Sequence, residues 1–259
     1  MKFISLFAGI GGLDLGLERA GMECVAQVEI DEFCQKVLTK HWPNVPKFKD
    51  VRDVGKHNLP SAELICGGFP CQDVSLAGQM AGLEGKRSTL WSEFYRIVCE
   101  IQPRWIVIEN VLGLLSSDDG EFFTKILRDI SEIGFNAEWQ VIPASAFGAF
   151  HKRDRVLIVA YAESVRLSKV SVFGKHSEKS SIEKPNEWEF FQSIPGGAYQ
   201  IDERWKERQD RVCRNDDGVP GQLDEYRIKS LGNAVVPQVA EFIGHSVMKV
   251  EACLTNACT

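Results

Sequence analysis

Short apolar runs alternate with longer amphipathic stretches from residue 3 to residue 161. Each run suits one buried strand, and the stretches between them carry apolar residues at helical spacing, as Phe122, Ile126 and Ile130 do within 120–133. This alternation favours an α/β fold built on a doubly wound, Rossmann-like sheet. The predicted strands are 3–8, 24–28, 63–66, 104–109, 137–142 and 155–161, and the predicted helices are 12–20, 32–40, 88–101 and 120–133.

The composition changes at about residue 164. Residues 164–227 are rich in charged residues, Ser and Gly and carry few periodic apolar stretches, which indicates a small inserted region. Disorder is the alternative for 174–187. Apolar residues at helical spacing between 235 and 247 then predict a terminal helix, followed by a frayed tail from about 252. The expected organisation is a sheet-containing domain over 1–163, an inserted region over 164–227 and a returning helix within 228–259.

Composition excludes some classes of protein and leaves others open. No apolar run approaches the roughly 18 residues of a membrane span, and the start lacks secretory-signal features, so we expect a cytoplasmic protein. The eight cysteines include no CxxC pair and no zinc-finger spacing, which predicts free thiols and no metal site. The net charge of −6 argues weakly against nucleic acid, but residues 152–229 are nearly charge-balanced. Composition therefore does not exclude DNA.

The first strand ends in a glycine-rich turn within residues 5–16, SLFAGIGGLDLG. A dinucleotide fingerprint would have a third glycine where Asp14 stands, which disfavours an NAD oxidoreductase. Glu29 ends the second strand 20 residues beyond Gly9, where a carboxylate accepts ribose hydroxyls. A nucleoside cofactor and a plain strand–helix turn with a solvated Glu29 both remain open. Asp50 is a candidate third contact, with a solvated or capping role as its alternative.

A cysteine follows the strand that ends at Cys66, in GGFPCQDVSLAG over 67–78. Ligands of open α/β sheets bind beyond the carboxyl ends of strands, and Pro70 restricts the backbone entering Cys71. Cys71 is therefore a candidate reactive thiol, whereas cysteines within apolar runs, such as Cys24, are expected in the core. The polar, glycine-containing stretch after it suggests a loop that closes over a substrate.

Charged residues flank two further predicted strands. Glu109 begins ENV directly after an apolar strand, and a buried glutamate is rare unless it is paired. Arg153 and Arg155 alternate in GAFHKRDR and share a face if this stretch is extended, which suits an anion or a base carbonyl. A surface or capping Glu109 and a solvated basic turn are the alternatives.

Together these segments resemble the cytosine-C5 DNA methyltransferase family, and within it the compact phage or prophage type. They occur in the family's order and cover most of the chain outside 164–227. The chain departs from the family at His151, where glutamine is usual, and in a short target-recognition region. The matching segments are SLFAGIGGLDLGL, Glu29, Asp50, GGFPCQDVSLAG, KRSTLWSEFYRIV, ENV, HKRDR, RVCRNDDGVP and KSLGNAVVPQVAEFIG.

The resemblance implies roles for individual residues. The cofactor would be S-adenosyl-L-methionine, released as S-adenosyl-L-homocysteine. Its expected contacts are Phe7, Gly9, Gly11, Gly12, Glu29, Asp50, Pro70, Leu90 and Asn233. The residues expected around a flipped-out cytosine are Cys71 as nucleophile, Glu109 at N3, Arg155 at the carbonyl and Arg153 as an aid to loop order. Gln72, Ser75 and Arg87 are expected to contact the DNA.

The resemblance also implies partners and alternatives. Double-stranded DNA would be recognised by residues 164–227, with Arg204, Arg208, Arg211 and Arg214 touching base edges or only phosphates. We expect a monomer encoded by a bacterium, phage or prophage, with a cognate restriction endonuclease as a candidate partner and no membrane. An RNA cytosine methyltransferase and a catalytically silent DNA-binding homologue are the rival hypotheses. The intact Pro70-Cys71-Gln72 segment disfavours the first, and the retained thiol and carboxylate disfavour the second.

Overall fold

We describe the protein from a computed structural model. The described residues are 1–70, 86–147, 153–163, 165, 172–173 and 234–256, with backbone only for 86–89 and 254–256. The strands are β1 (Lys2–Leu6), β2 (Glu23–Val28), β3 (Lys47–Phe48), β4 (Leu64–Gly67), β5 (Trp105–Val111), β6 (Phe135–Pro143) and β7 (Asp154–Ala162). The α-helices are α1 (Gly12–Arg19), α2 (Glu32–His41), α3 (Lys86–Ile101), α4 (Glu121–Glu132) and α5 (Pro237–Asn256).

The strands form one sheet in the order β3-β2-β1-β4-β5-β7-β6. The first five in this order run parallel, whereas β7 lies antiparallel to both β5 and β6. From β1 the chain runs outward through β2 and β3 and then returns to place β4 on the other side of β1. Ligands of such sheets bind at this switch point, outside the carboxyl ends of the strands. The amino end of β7 lies at the same edge because it is antiparallel.

Two apolar layers cover the sheet, as the alternation of side chains along a strand requires. Phe3 faces a layer in which α1 and α5 pack, whereas Ile4 faces the layer formed by α3 and α4. Both layers contain side chains with no exposed surface, among them Leu17 in the first and Phe94 in the second. The predicted doubly wound sheet is therefore confirmed.

Most element bounds agree with the sequence pattern to within two residues. The terminal helix differs, because it begins at Pro237, whose fixed φ suits a first helical turn, and it continues to Asn256 rather than fraying from 252. Cys24 and Cys66 are buried, as predicted. None of the helices in the described part of the chain is long and apolar enough to span a membrane.

Most of the predicted insertion lies outside the described residues, and so does its charged stretch 174–187. Its described residues, Val165, Val172 and Phe173, are buried in the layer that contains α1 and α5. The backbone N–H of Val172 also donates to the Glu138 carboxylate of β6 at 3.1 Å. These three residues thus pack against the domain that contains the sheet.

Candidate active site

The turn after β1 is built from residues in the left-handed region of backbone space. Phe7, Gly9 and Gly11 have φ values of 53°, 55° and 85°. Glycine adopts this region without strain, but Phe7 does not, and such strain is common where a backbone must follow a ligand. Gly9 also borders open space, since no described atom lies within 4 Å of the position a Cβ would take.

Glu29 lies beside this turn and is fixed at both carboxylate oxygens. The backbone N–H of Gly9 donates to Oε2 at 2.7 Å, and that of Asp31 donates to Oε1 at 2.8 Å. Each carboxylate oxygen can accept more than one hydrogen bond, so capacity remains for hydroxyl groups of a ligand. The next side chain, Ile30, is 59% exposed and offers an apolar surface at the same edge. Sequence analysis missed Ile30, for which adjacency to Glu29 is the only local signal.

Asp50 begins a short 3-10 turn, Val51–Asp53, at the end of β3. The Arg52 guanidinium donates to its carboxylate and lowers the Asp50 pKa to about 2. Arg96 of α3 donates to the carbonyls of Val51 and Val54 at 3.2 and 2.8 Å. The turn is therefore anchored to α3, with Asp50 ion-paired to its own neighbour.

Asp14 occupies the place of the missing third glycine and is fully buried. Its carboxylate accepts hydrogen bonds from Ser5 of β1 at 2.9 Å and from Gln27 of β2 at 2.7 Å. Burial raises the Asp14 pKa, and these hydrogen bonds oppose the shift. The cluster ties α1 to both strands, so the turn between β1 and α1 is held at each end.

Glu109 lies near the carboxyl end of β5 and is only 7% exposed. Its Oε1 forms an ion pair with Arg155 Nε at 2.7 Å, and a Cβ on Gly68 would come within 2.7 Å of Oε2. The side chain thus occupies the space that Gly68 leaves open. Burial raises the Glu109 pKa, while the guanidinium groups of Arg155 and Arg153 oppose this shift.

Asn110 connects this carboxylate to the loop after β4. Its Nδ2 donates to the carbonyl of Phe69 at 3.1 Å, and its side chain is buried. Pro70 follows Phe69 and is exposed at the end of the described loop. Sequence analysis selected Glu109 but missed Asn110, whose contact spans 41 residues and has no local pattern.

The two arginines do not share an extended strand face as predicted. Arg155 lies in β7 opposite Val111, but Arg153 precedes the strand with φ 20°. Its Nη2 donates instead to the carbonyl of Ala234 at 2.5 Å. Burial, followed by the neighbouring Arg155, lowers the Arg153 pKa. Both guanidinium groups still act electrostatically on Glu109.

The remaining predicted residues fall into two groups. Gly11 and Gly12 lie at the start of α1, and Leu90 is half-buried on α3 against the layer it shares with α4. Arg87 lies in α3 with its side chain outside the described part. The predicted residues that lie outside the described ranges are Cys71, Gln72, Ser75, His151, Arg204, Arg208, Arg211, Arg214 and Asn233. Among the side chains that are described, no His, Cys, Asp and Glu group is arranged to hold a metal ion.

Comparison with known proteins supports one family. The model of the C-5 cytosine-specific DNA methylases matches residues 1–219. Type II methyltransferase M.FnuDI of Fusobacterium nucleatum is 36% identical over 168 residues, which are 65% of this chain and 49% of the relative. Type II methyltransferase M.BsuFI of Bacillus subtilis is 30% identical over 237 residues, which are 91% of this chain and 56% of the relative. The chain spans about half the length of these relatives.

A solved structure shares the fold along nearly the whole chain. It is a prophage-encoded E. coli protein described as a DNA modification methyltransferase, with a TM-score of 0.68 and 20% identity. The alignment covers 97% of this chain and 99% of the other. The likeness therefore extends beyond the elements on which the sequence motifs lie.

Proposed function

Because the chain belongs to the C-5 cytosine-specific DNA methylase family, we propose that it transfers a methyl group from S-adenosyl-L-methionine to carbon 5 of cytosine in double-stranded DNA. The observation that carries this proposal is the buried Glu109 carboxyl, held against Gly68 and Arg155 where the Pro70-Cys71 loop begins. Methylation at carbon 5 needs a thiol and a proton donor at one base. Glu109 suits the second role, and Cys71 directly follows the described Pro70 in the sequence.

The residues at the ends of β1 and β2 fit the proposed cofactor. Glu29 retains acceptor capacity for the ribose hydroxyls, Gly9 leaves open space beside it, and Ile30 offers an apolar face suited to an adenine ring. Phe7 and Asp50 lie at the same edge of the sheet, as does the Gly11–Gly12 start of α1. When bound, S-adenosyl-L-methionine supplies an electrophilic methyl group on a sulfonium centre.

Cys71 is the proposed nucleophile of the reaction. Its thiolate adds to carbon 6 of the cytosine, and the displaced electron pair is taken up at N3, which accepts the proton of the Glu109 carboxyl. Carbon 5 then has enamine character, and bound S-adenosyl-L-methionine would supply the methyl group to it and leave as the thioether S-adenosyl-L-homocysteine. Loss of the carbon 5 proton to a base breaks the sulfur–carbon 6 bond and restores the thiolate, while N3 returns its proton to Glu109.

Arg155 is proposed to hold the cytosine carbonyl while it positions Glu109. A guanidinium has several N–H donors in a fixed plane, so one group serves both partners. The target carbon is inaccessible within a duplex, and the nucleotide must therefore leave the helix to reach this edge of the sheet. The segment over 73–88 is proposed to close over it.

The test of the proposed function is transfer of a labelled methyl group by the full chain. Purified protein is incubated with tritiated S-adenosyl-L-methionine and unmethylated duplex DNA, and the digested nucleosides are separated. We expect label in 5-methylcytosine, and bisulfite sequencing of DNA from a methylation-deficient expressing host then gives the target sequence. Label in RNA but not in DNA, or in neither, would contradict the proposal.

Replacing Glu29 with alanine is expected to weaken binding of S-adenosyl-L-homocysteine. The change removes acceptors for the ribose hydroxyls and frees the N–H groups of Gly9 and Asp31. Hydrogen bonds to a charged group contribute about 1.5–3 kcal/mol, so the dissociation constant should rise about 10- to 150-fold. Calorimetric titration measures it.

Glu32→Ala is the matched control for this prediction. Glu32 lies three residues further along, at the start of α2, and forms an exposed ion pair with Lys49. Such pairs contribute little, so this variant should bind like the wild type. Equal affinities of Glu29→Ala and Glu32→Ala would refute the role of Glu29.

Sequence recognition is proposed to reside in residues 164–227, between the domain over 1–163 and the returning segment over 228–259. The support is the change in composition and the arginines at 204, 208, 211 and 214.

A graft of this region tests the proposal. Because Val172 and Phe173 pack on the catalytic domain, the graft should begin after Phe173. An active graft from a relative of different specificity is expected to methylate the donor's sequence in bisulfite maps. An active graft that keeps the original sequence would locate recognition elsewhere.

The remaining proposals concern the oligomeric state, the cellular location and a partner enzyme. We propose a monomer, since all of the proposed catalytic groups lie on one chain, and a bacterial cytoplasm, where the DNA substrate is found. A cognate restriction endonuclease is proposed because the similar proteins are Type II methyltransferases. Cleavage of unmodified DNA, but not of methylated DNA, by the host extract would support such a partner.

A further inference from the structure

One short segment touches both ends of the candidate site. Residues 234–236, the linking segment, precede α5 and lie between the glycine turn and the base-binding arginines. The Ala234 carbonyl accepts the hydrogen bond from Arg153 Nη2 at 2.5 Å. On the other side, a Cβ on Gly12 would collide with the Val235 carbonyl and approach its nitrogen to 3.1 Å. The backbones of Gly12 and Val235 are thus in direct contact.

The linking segment is held firmly from behind. Gly16 of α1 and Gly244 of α5 allow these helices to approach closely, because a Cβ on Gly16 would meet the Pro237 carbonyl and one on Gly244 would lie 2.6 Å from Ala20 Cβ. At the far end, Trp105 Nε1 donates to Glu251 at 2.5 Å. Because α5 is anchored behind it, the linking segment cannot retreat, and a clash at Gly12 displaces Val235 and its neighbour Ala234.

Arg153 depends on the contact with this segment. Its φ of 20° is sparsely populated for a residue with a side chain and persists only where surrounding contacts impose it. The hydrogen bond to Ala234 spans 81 residues and supplies such a contact. Displacing Ala234 would therefore change how Arg153 faces Glu109 and Arg155.

We propose that the linking segment couples the two ends of the site, with Gly12 and Val235 positioning Arg153 through the Ala234 carbonyl. The cofactor end is the glycine turn with Glu29, and the base end is Glu109 with the two arginines. This inference rests on the proposed function. Arg153 is then a positioning residue whose placement depends on the glycine turn. Coupling between two binding sites is reciprocal, so each end must affect the other.

The base end can be measured without cofactor. Reversible addition of Cys71 to carbon 6, with the Glu109 proton moving to N3, lets carbon 5 take a proton from water and then lose its original hydrogen before the sulfur departs. Release of tritium from DNA labelled at carbon 5 therefore reports on the base end. Gly12→Ala is expected to slow this release about 10- to 100-fold, the effect of misplacing a reacting group by about 1 Å.

Gly244→Ala is the matched control for Gly12→Ala. It disturbs the same helix pair at a point remote from Ala234, so it should lower the melting temperature yet release tritium at nearly the wild-type rate. If Gly12→Ala releases tritium normally, or if both variants lose the same fraction of the rate, the coupling is refuted. A wild-type protein that neither releases tritium nor methylates DNA would refute the proposed function itself.

The reciprocal measurement needs no introduced clash. Arg153→Ala removes the donor to Ala234, and we expect it to weaken S-adenosyl-L-homocysteine binding about 5-fold, at the lower end of typical coupling. Arg128→Ala removes an exposed guanidinium from α4 and should bind this ligand like the wild type. Arg153→Lys, which keeps a donor, should recover part of the affinity. Unchanged binding by Arg153→Ala would overturn the proposal.

Discussion

Replacing Cys71 with serine is expected to abolish methyl transfer while binding of S-adenosyl-L-homocysteine persists. A serine hydroxyl stays protonated at neutral pH and is a poor nucleophile for conjugate addition, whereas a thiolate is a strong one. A loss of about 10⁴-fold or more corresponds to about 5 kcal/mol in the barrier. Tritiated-methyl transfer to DNA measures the loss, and calorimetric titration measures the retained binding.

The other cysteines help to explain why Cys71 is selected. Burial raises the pKa of the Cys24 and Cys66 thiols, so these sulfurs stay protonated in the core. Cys99 is exposed on α3 and is the matched control, because Cys99→Ser removes an accessible thiol that the proposed reaction does not use. We expect it to retain wild-type turnover. Substantial turnover by Cys71→Ser would mean that another group attacks the base.

The fold was predictable because its determinants are local. Alternating side chains in β1 divide between two apolar layers, and amphipathic stretches such as α4 bury one face. The 20-residue spacing of Gly9 and Glu29 also indicated that both residues lie at one ligand site. The structure shows a hydrogen bond from the Gly9 N–H to the Glu29 carboxylate. Each of these features depends on periodicity or on the order of strands along the chain.

The contacts that sequence analysis missed are non-local. Asp14 lies in a first helical turn, where an aspartate is ordinarily solvated. It is buried because its carboxylate faces Ser5 of β1 and Gln27 of β2. Arg153 was expected to share a face with Arg155 if this stretch were extended, with a solvated basic turn as the alternative, but it donates to the carbonyl of Ala234. No local pattern encodes such a pair, since its members meet only after the sheet and α5 have packed together.

Replacing Glu109 with glutamine is expected to lower kcat by about 10²- to 10⁴-fold, the usual contribution of a positioned proton donor. Glutamine preserves the shape that fits against Gly68 but carries no proton that it can transfer to N3. The fold should therefore survive, and the melting temperature checks that it does. Glu132→Gln at the exposed end of α4 is the matched control and should retain wild-type kcat.

The pH profile identifies the group that limits turnover. Burial raises the Glu109 pKa, and the carboxyl must be protonated to act, so its contribution is present below that pKa and is lost as pH rises through it. Wild-type kcat should show this alkaline limb, whereas the residual activity of Glu109→Gln should lack it. Removing the opposing charge with Arg155→Ala should move the limb to higher pH in whatever activity remains. An alkaline limb that persists unchanged in Glu109→Gln would assign the proton to a different donor.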